Sequence, residues 1–306
     1  MNNLINLSDL SADDIHALFD RAEALAIQRE PAPSLRGRHV ANLFFEPSTR
    51  TRVSFELAAR SLGGSVVNLD VAKSSFTKGE TLVDTYRTLE AMGIDAFVVR
   101  TAQTGVIQDL GRIIGRNVAV FNAGEGDAAH PTQGLLDALT IRQHKGQFDQ
   151  LSVAIVGDVS HSRVARSTLR ALNILGCQDL RIVAPAAWQP PAQQLPGAVI
   201  TDSLEQGIQG CDVVMALRIQ NERLQNNERL DRTDYIARFC ITQKRLNGAR
   251  DDAILMHPGP INRGIEISDE VADGPQSVIL KQVNNGVKIR RALFDSVARS
   301  RGWYQE

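Results

Sequence analysis

Residues 44–56 read Phe-Phe-Glu-Pro-Ser-Thr-Arg-Thr-Arg-Val-Ser-Phe-Glu. The hydroxyls of Ser48, Thr49 and Thr51 alternate there with the guanidinium groups of Arg50 and Arg52. Hydroxyls supply neutral donors and arginines supply planar forks, a set suited to phosphate oxygens. The apolar run from Val40 to Phe45 ahead of them reads as a buried strand. Behind them Phe55, Ala58, Ala59 and Leu62 recur at helical spacing until Gly63-Gly64, a helix stop. The hydroxyl-rich stretch is therefore a strand-to-helix turn. The first turn of a helix has unpaired N–H groups and the positive end of the dipole, so it attracts an anion. Beyond a strand's carboxyl end is also where α/β sheets bind ligands, and the stretch reads as a phosphate cradle.

Other residues with useful chemistry fall at similar places. His130-Pro131-Thr132-Gln133 follows a strand and a glycine-rich turn, with Pro131 suited to the first turn of a helix. A neutral imidazole N–H of His130 could donate to a carbonyl oxygen, Gln133 could read an amide NH2, and Arg100, at a strand end, could polarise the same oxygen. Arg218-Ile219-Gln220 follows the strand 212–217, where an arginine can hold a carboxylate through two bonds. His161 to Ser167, with Arg163 and Arg166, opens a helix after Gly157-Asp158. In His257-Pro258-Gly259-Pro260 two prolines fix a backbone path whose carbonyls could face an NH2 group. Ser74 and Lys78 lie in a polar loop before Gly79. Taken singly, each of these also reads as a helix cap or a solvated charge.

The elements that position these groups alternate. Ser11 and Asp14 cap an opening helix with Ile15, Leu18, Phe19, Ala22 and Leu25 on one face. Strands are expected at 65–70, 94–99 and 118–121, with a helix entered at Glu80 between the first two. After Gln143-His144-Lys145-Gly146-Gln147 the pattern restarts, with strands at 151–158, 180–183, 212–217 and 253–256. The Pro-rich stretch from Ala184 to Gly197 reads as surface loop. A last helix spans about 287–301, with Ile289, Ala292, Leu293 and Val297 on one face. This grammar implies parallel sheets covered on both faces.

Composition sets outer bounds. The chain has 306 residues, 43% hydrophobic and 23% charged, with net charge −1. That length suggests two domains, and the charge marks no nucleic-acid or anionic-membrane surface. Three cysteines, Cys177, Cys211 and Cys240, show no C-x-x-C pair, so neither a disulfide framework nor a structural zinc site is expected. The start lacks a signal-peptide pattern and no apolar run reaches the ~18 residues of a membrane span, which points to a cytoplasmic protein. No nucleotide-binding glycine motif, H-E-x-x-H or G-x-S-x-G is present.

Phe45 to Arg52 resembles the F-x-x-S-T-R-T motif of the aspartate and ornithine carbamoyltransferases. Ser74 to Thr81, His130 to Gln133, Arg218 to Arg223 and His257 to Pro260 resemble that family's remaining motifs, in order along nearly the whole chain. The ornithine branch carries cysteine in place of Thr132 and H-C-L-P at Pro258, so the resemblance favours the aspartate branch. Gly259 stands where a larger side chain is common in that branch, which questions the rigidity of its loop.

The resemblance implies an α/β fold of two doubly wound parallel-sheet domains, residues 1–133 and 134–286, with the C-terminal helix 287–306 returning to the first. It implies carbamoyl transfer from carbamoyl phosphate to L-aspartate, toward pyrimidines. Ser48, Thr49, Arg50 and Thr51 would hold the phosphate. Thr51, Arg100 and His130 would stabilise the oxyanion, and Gln133 with the carbonyls of Gly259 and Pro260 would fix the carbamoyl NH2. Arg163, Arg218 and Gln220 would hold aspartate. Lys78 would add positive charge between the two anions, entering with Ser74, or else Ser75, the site of a neighbouring subunit in a homotrimer. No cofactor or metal is implied, and regulatory or dihydroorotase-like partner chains are left open. The alternatives are a carbamoyltransferase for another amino acid, such as ornithine, or a non-catalytic member that serves as a scaffold.

Overall fold

The computed structural model describes residues 1–27, 34–69, 81–113, 118–191, 195, 197–220 and 231–303. They form two compact units, one of residues 1–135 with 286–306 and one of residues 136–285.

The first unit opens with helix α1 (Ala12–Ile27), which buries the five residues of the expected face. Its cap is reciprocal: the Asp14 N–H donates to Ser11 Oγ at 3.1 Å, and the Ser11 N–H to Asp14 Oδ2 at 2.9 Å. Then follow β1 (His39–Phe44), α2 (Thr49–Ser61), β2 (Ser65–Leu69), α3 (Leu82–Ala91), β3 (Ala96–Thr101), α4 (Val106–Ile113), β4 (Ala119–Glu125) and α5 (Pro131–Lys145). Helix α3 is capped by Thr81, whose hydroxyl accepts the Asp84 N–H at 3.2 Å; the expected entry at Glu80 lies outside the described residues. The strands form a parallel sheet in the order β2-β1-β3-β4. Strand β4 outruns the expected 118–121 and passes through Gly124, so the turn comes later, where Glu125 bridges to Ala129.

The second unit contains β5 (Ser152–Val156), α6 (Arg163–Ile174), β6 (Asp179–Val183), β7 (Ala198–Thr201), α7 (Leu204–Ile208), β8 (Val213–Ala216), α8 (Arg232–Phe239), α9 (Gln243–Leu246), β9 (Ile254–Met256) and α10 (Asp269–Ala272). Its parallel sheet runs β7-β6-β5-β8-β9. The Pro-rich stretch is not simply surface. Trp188 is buried and packs on Tyr235 with ring centroids 5.3 Å apart, because an indole inside the loop supplies apolar area that the prolines do not.

Helix α11 (Ile279–Ser300) begins in the second unit and ends in the first. There Phe294 packs edge-on against Phe55 at 5.9 Å and Phe121 at 4.7 Å. It starts well before the expected residue 287, because its first two turns reverse the usual pattern. Leu280 is 84% exposed, while Gln282 and Asn285 are 1% exposed. The buried amides are paired: Gln282 Nε2 donates to Asp137 Oδ1 at 2.6 Å, and Asn285 Nδ2 to Thr140 Oγ1 and Gln143 Oε1, both at 2.9 Å. No helix among the described residues is long and apolar enough to cross a membrane.

Candidate active site

Each sheet has one point where strand order reverses. In the first, β1 leads out to β2, and β3 is then laid on the other side of β1; in the second, β6 and β7 lie to one side of β5 and β8 and β9 to the other. Helices leaving the strands on either side of such a point depart to opposite faces, which opens a crevice beyond the carboxyl ends. The sequence-predicted residues within the described part of the chain gather at these two edges.

In the first unit Phe44 is the register partner of Arg100, and Thr101 that of Glu125. The β1–α2 turn, Arg100 and the β4–α5 turn therefore sit on three adjacent strand ends. Ser48 occupies the cap position of α2 in an extended conformation, yet its side chain makes no capping bond. A serine there usually satisfies a first-turn amide itself. Thr49 and Arg50 are exposed and Thr51 is buried. The Arg100 guanidinium is mostly buried, with Nε 3.3 Å from Glu46 Oε2, an ion pair outside hydrogen-bond geometry, and Nη1 donating to the Ala123 carbonyl at 3.4 Å. His130 and Gln133 are both buried, and the His130 carbonyl accepts the Gln133 N–H at 2.9 Å.

Arg290 of α11, which sequence reasoning missed, ties these turns together. Its Nη1 donates to Ser54 Oγ at 2.6 Å and its Nη2 to Thr132 Oγ1 at 3.1 Å. Ser54 in turn donates to the Thr51 carbonyl at 2.9 Å. One buried guanidinium thus connects the start of α2 with the start of α5.

In the second unit Gly157 directly follows β5, with φ +119°. A Cβ there would lie 3.1 Å from both the Leu217 carbonyl oxygen and the Tyr235 hydroxyl, so only glycine lets the strand end pass this close. Asp158 is fully buried. Its Oδ1 accepts from His161 Nδ1 at 2.7 Å and its Oδ2 from the Gln220 N–H at 3.1 Å. Ser162 caps α6 by accepting the Ala165 N–H at 3.1 Å, which places Arg163 as a buried first helical residue. Arg166 Nη2 donates to the Ser160 carbonyl at 2.7 Å.

Arg218, half-buried beyond β8, donates from Nη1 to the Ile219 carbonyl at 3.3 Å, and the Ile219 N–H donates to Glu266 Oε1 at 3.1 Å. Beyond β9, His257 is fully buried and its Nδ1 accepts the Gly259 N–H at 2.8 Å. Gly259 has φ +68°, a left-handed conformation that glycine adopts without strain, and the Gly259–Pro260 peptide is cis. The small residue therefore suits the path of this loop. Burial first, then the carboxylates of Glu266 and Asp158, push the Tyr235 hydroxyl well above its usual range.

Asp158, Glu266 and Arg290 carry no motif or periodicity; each has at least one partner distant in sequence (Gln220, Ile219, and Ser54 with Thr132), and only the fold shows those. Burial pushes the Cys177 thiol up to about 12 and the Cys211 thiol up to about 11, so neither supplies a thiolate. Among the described residues no group of three or more His, Cys, Asp or Glu is placed to hold a metal ion. Ser74, Lys78 and residues 221–224 lie outside the described residues.

The family model for the carbamoyl-P binding domain of aspartate/ornithine carbamoyltransferase matches residues 2–143, and that for its Asp/Orn binding domain matches residues 149–297. The chain belongs to the aspartate/ornithine carbamoyltransferase family. Within that family it is 48% identical over 300 residues to an aspartate carbamoyltransferase catalytic subunit of Legionella pneumophila (strain Lens), a match covering 98% of this chain and all of that one. Aspartate transcarbamoylase from Trypanosoma cruzi, solved in complex with carbamoyl aspartate and phosphate, matches with a TM-score of 0.88 at 34% identity, over 97% of this chain and 95% of that one. Ornithine carbamoyltransferase from Thermus thermophilus matches with a TM-score of 0.85 at 27% identity, over 97% and 99%. Both carbamoyltransferase branches share this fold, so the acceptor has to be read from the site.

Proposed function

We propose that this family member transfers the carbamoyl group of carbamoyl phosphate to the amine of L-aspartate, giving N-carbamoyl-L-aspartate and phosphate for pyrimidine synthesis. The observation that carries the reading is the edge of the second sheet. Arg163 and Arg218 stand at the ends of the adjacent strands β5 and β8, with Gln220 alongside and the Ile219 and Gln220 amides held by buried carboxylates. Two guanidinium groups suit the two carboxylates of aspartate and oppose the side-chain ammonium of ornithine. Thr132 and Pro258 replace the cysteines of the ornithine branch. The name of the Legionella relative and the aspartate bound in a Trypanosoma cruzi structure support the same acceptor.

In this reading Ser48, Thr49, Arg50 and Thr51 hold the phosphate at the start of α2. The amine nitrogen bonds to the carbonyl carbon, a proton leaves the nitrogen, and the carbon–oxygen bond to phosphate breaks. Arg100, His130 and the Thr51 hydroxyl donate to the carbonyl oxygen as it gains charge, while Gln133 and the Gly259 and Pro260 carbonyls orient the NH2. Catalysis is positioning and electrostatics, with no covalent intermediate. Family resemblance supports a cytoplasmic homotrimer in which Ser74 and Lys78 complete a neighbour's site. Three reduced, buried cysteines suit that compartment.

The test is a product assay with carbamoyl phosphate and a panel of amine acceptors. Aspartate should be carbamoylated far faster than ornithine; equal or faster turnover of ornithine overturns the assignment.

A further inference from the structure

Glu266 lies between two loops that the proposed reading assigns to substrate, and it is 1% exposed. Donors converge on its carboxylate. Oε1 accepts the Ile219 N–H at 3.1 Å and Asn262 Nδ2 at 2.7 Å, and Oε2 accepts the Asn262 N–H at 2.7 Å. His257 Nε2 lies 3.8 Å from Oε2. Because His257 Nδ1 already accepts the Gly259 N–H, the ring proton belongs on Nε2, the nitrogen nearest Glu266. The main chain of Glu266 is itself anchored, since its carbonyl accepts the Ile241 N–H at 2.9 Å. One carboxylate thus holds the segment beyond β8 and the segment beyond β9. The next amide along, that of Gln220, goes to Asp158, so consecutive N–H groups of the Arg218–Gln220 segment are fixed by separate buried acids.

We propose that Glu266 is a positioning residue that makes the Arg218–Gln220 and His257–Asn262 segments one rigid body, so that the groups holding aspartate and the carbonyls facing the carbamoyl NH2 keep a fixed separation. This rests on the proposed acceptor reading. A carboxylate is required because each of its oxygens faces main-chain N–H groups or a ring N–H. Glutamine must turn its NH2 toward the Ile219 N–H or the Asn262 N–H, neither of which can accept. The Asn262 side-chain amide can rotate to adapt, but a main-chain N–H cannot, so E266Q strands one main-chain donor and loosens the tie between the segments.

The test compares wild type with E266Q by steady-state kinetics, by phosphate titration and by hydrogen exchange. KM for aspartate should rise, and kcat should fall, by about tenfold or more, the scale of one buried hydrogen bond left unmade. Affinity for inorganic phosphate, held by the first unit, should not change. Exchange should quicken in 218–220 and 257–262 together while β5 and β6 stay protected. Unchanged KM and kcat overturn the proposal even if E266Q is less stable, as does faster exchange in one segment alone. If E266Q fails to fold, E266D, which keeps the charge but is one methylene too short to span both segments, is read by the same measurements against the same outcomes. The exchange result does not depend on turnover. If wild type fails to carbamoylate aspartate, the acceptor reading falls, and paired exchange in E266Q still tests the link.

Discussion

Replacing Arg290 by methionine isolates the bridge between the starts of α2 and α5. Methionine approximates the length and volume of the arginine stem, so no large cavity opens. Two charge-assisted bonds disappear, to Ser54 and Thr132, each worth roughly 1.5–3 kcal/mol. The contact of the guanidinium with the Phe55 ring, 4.9 Å from its centroid, goes as well, which adds about 1–2 kcal/mol at a buried site. Against this, a buried guanidinium costs several kcal/mol of desolvation that methionine avoids. Ser54 also keeps its bond to the Thr51 carbonyl. The terms largely offset, and unfolding in urea should show a loss of only ~1–3 kcal/mol. A separate effect should fall on the starts of α2 and α5, which lose their common tie. Phosphate affinity measured by titration calorimetry should weaken by about tenfold, near 1.4 kcal/mol. Lysine at 290 keeps the charge but has no fork to reach both hydroxyls, so R290K should resemble R290M in phosphate affinity. If R290K binds phosphate like wild type, charge and not the bridge is responsible. If R290M binds like wild type, Arg290 serves the core alone.

Arg50→Ala should lower phosphate affinity by the roughly 2–5 kcal/mol of a truncated charge contact, with little change in unfolding temperature because Arg50 is exposed. Loss of stability without loss of affinity would count against the cradle. His130→Ala should reduce kcat more than it weakens carbamoyl phosphate binding; the reverse pattern would make His130 a binding residue only. Burial alone would raise the pKa of Asp295, but hydrogen bonds from Arg21 and Arg299 outweigh it and hold the carboxyl below its usual range. Its contribution is therefore fully present above the unfolded-state value near 4 and lost as pH falls through the lower folded value, so wild type should lose stability between about pH 5 and 2 more steeply than D295N. Parallel loss in the two proteins would refute this. As a test of the proposed homotrimer, Arg50→Ala and Lys78→Ala chains, unfolded together and reassembled, should regain part of the activity that each lacks, whereas mixed assemblies that stay inactive would rule out shared sites.

Residues whose surroundings are local were legible in the sequence. The turn between β1 and α2 could be read because an apolar run, a burst of hydroxyls and a helical period follow one another directly. Pro131 marked the start of α5, and Ser11 with Asp14 the start of α1. The parallel architecture followed from the alternation of apolar runs and helical periods. Residues governed by distant partners were not legible. Glu266 and Asp158 take local donors from Asn262 and His161, but the Ile219 and Gln220 N–H groups that complete them come from a segment that only the sheet brings near. Trp188 was hidden in a Pro-rich stretch whose composition otherwise describes a surface. The early turns of α11 escaped because Gln282 and Asn285 face inward and Leu280 outward, the opposite of what amphipathic reading rewards.

The inverted seam also constrains how the protein can vary. Asp137 receives Gln282 at one oxygen and Thr168 at the other, at 2.6 and 2.7 Å, while Asn285 serves Thr140 and Gln143 together. Changing Gln282 alone to leucine would take from a buried carboxylate one of its donors, and changing Asp137 alone would strand an amide. Either single step crosses a deep valley, though a fully apolar seam could be as stable as the present one. Drift at these positions must therefore be concerted, and in descendants of this chain the seam should persist whole or be exchanged whole. A half-converted seam would tolerate few further mutations elsewhere, so these buried side chains set part of the rate at which the rest of the chain can explore new sequence.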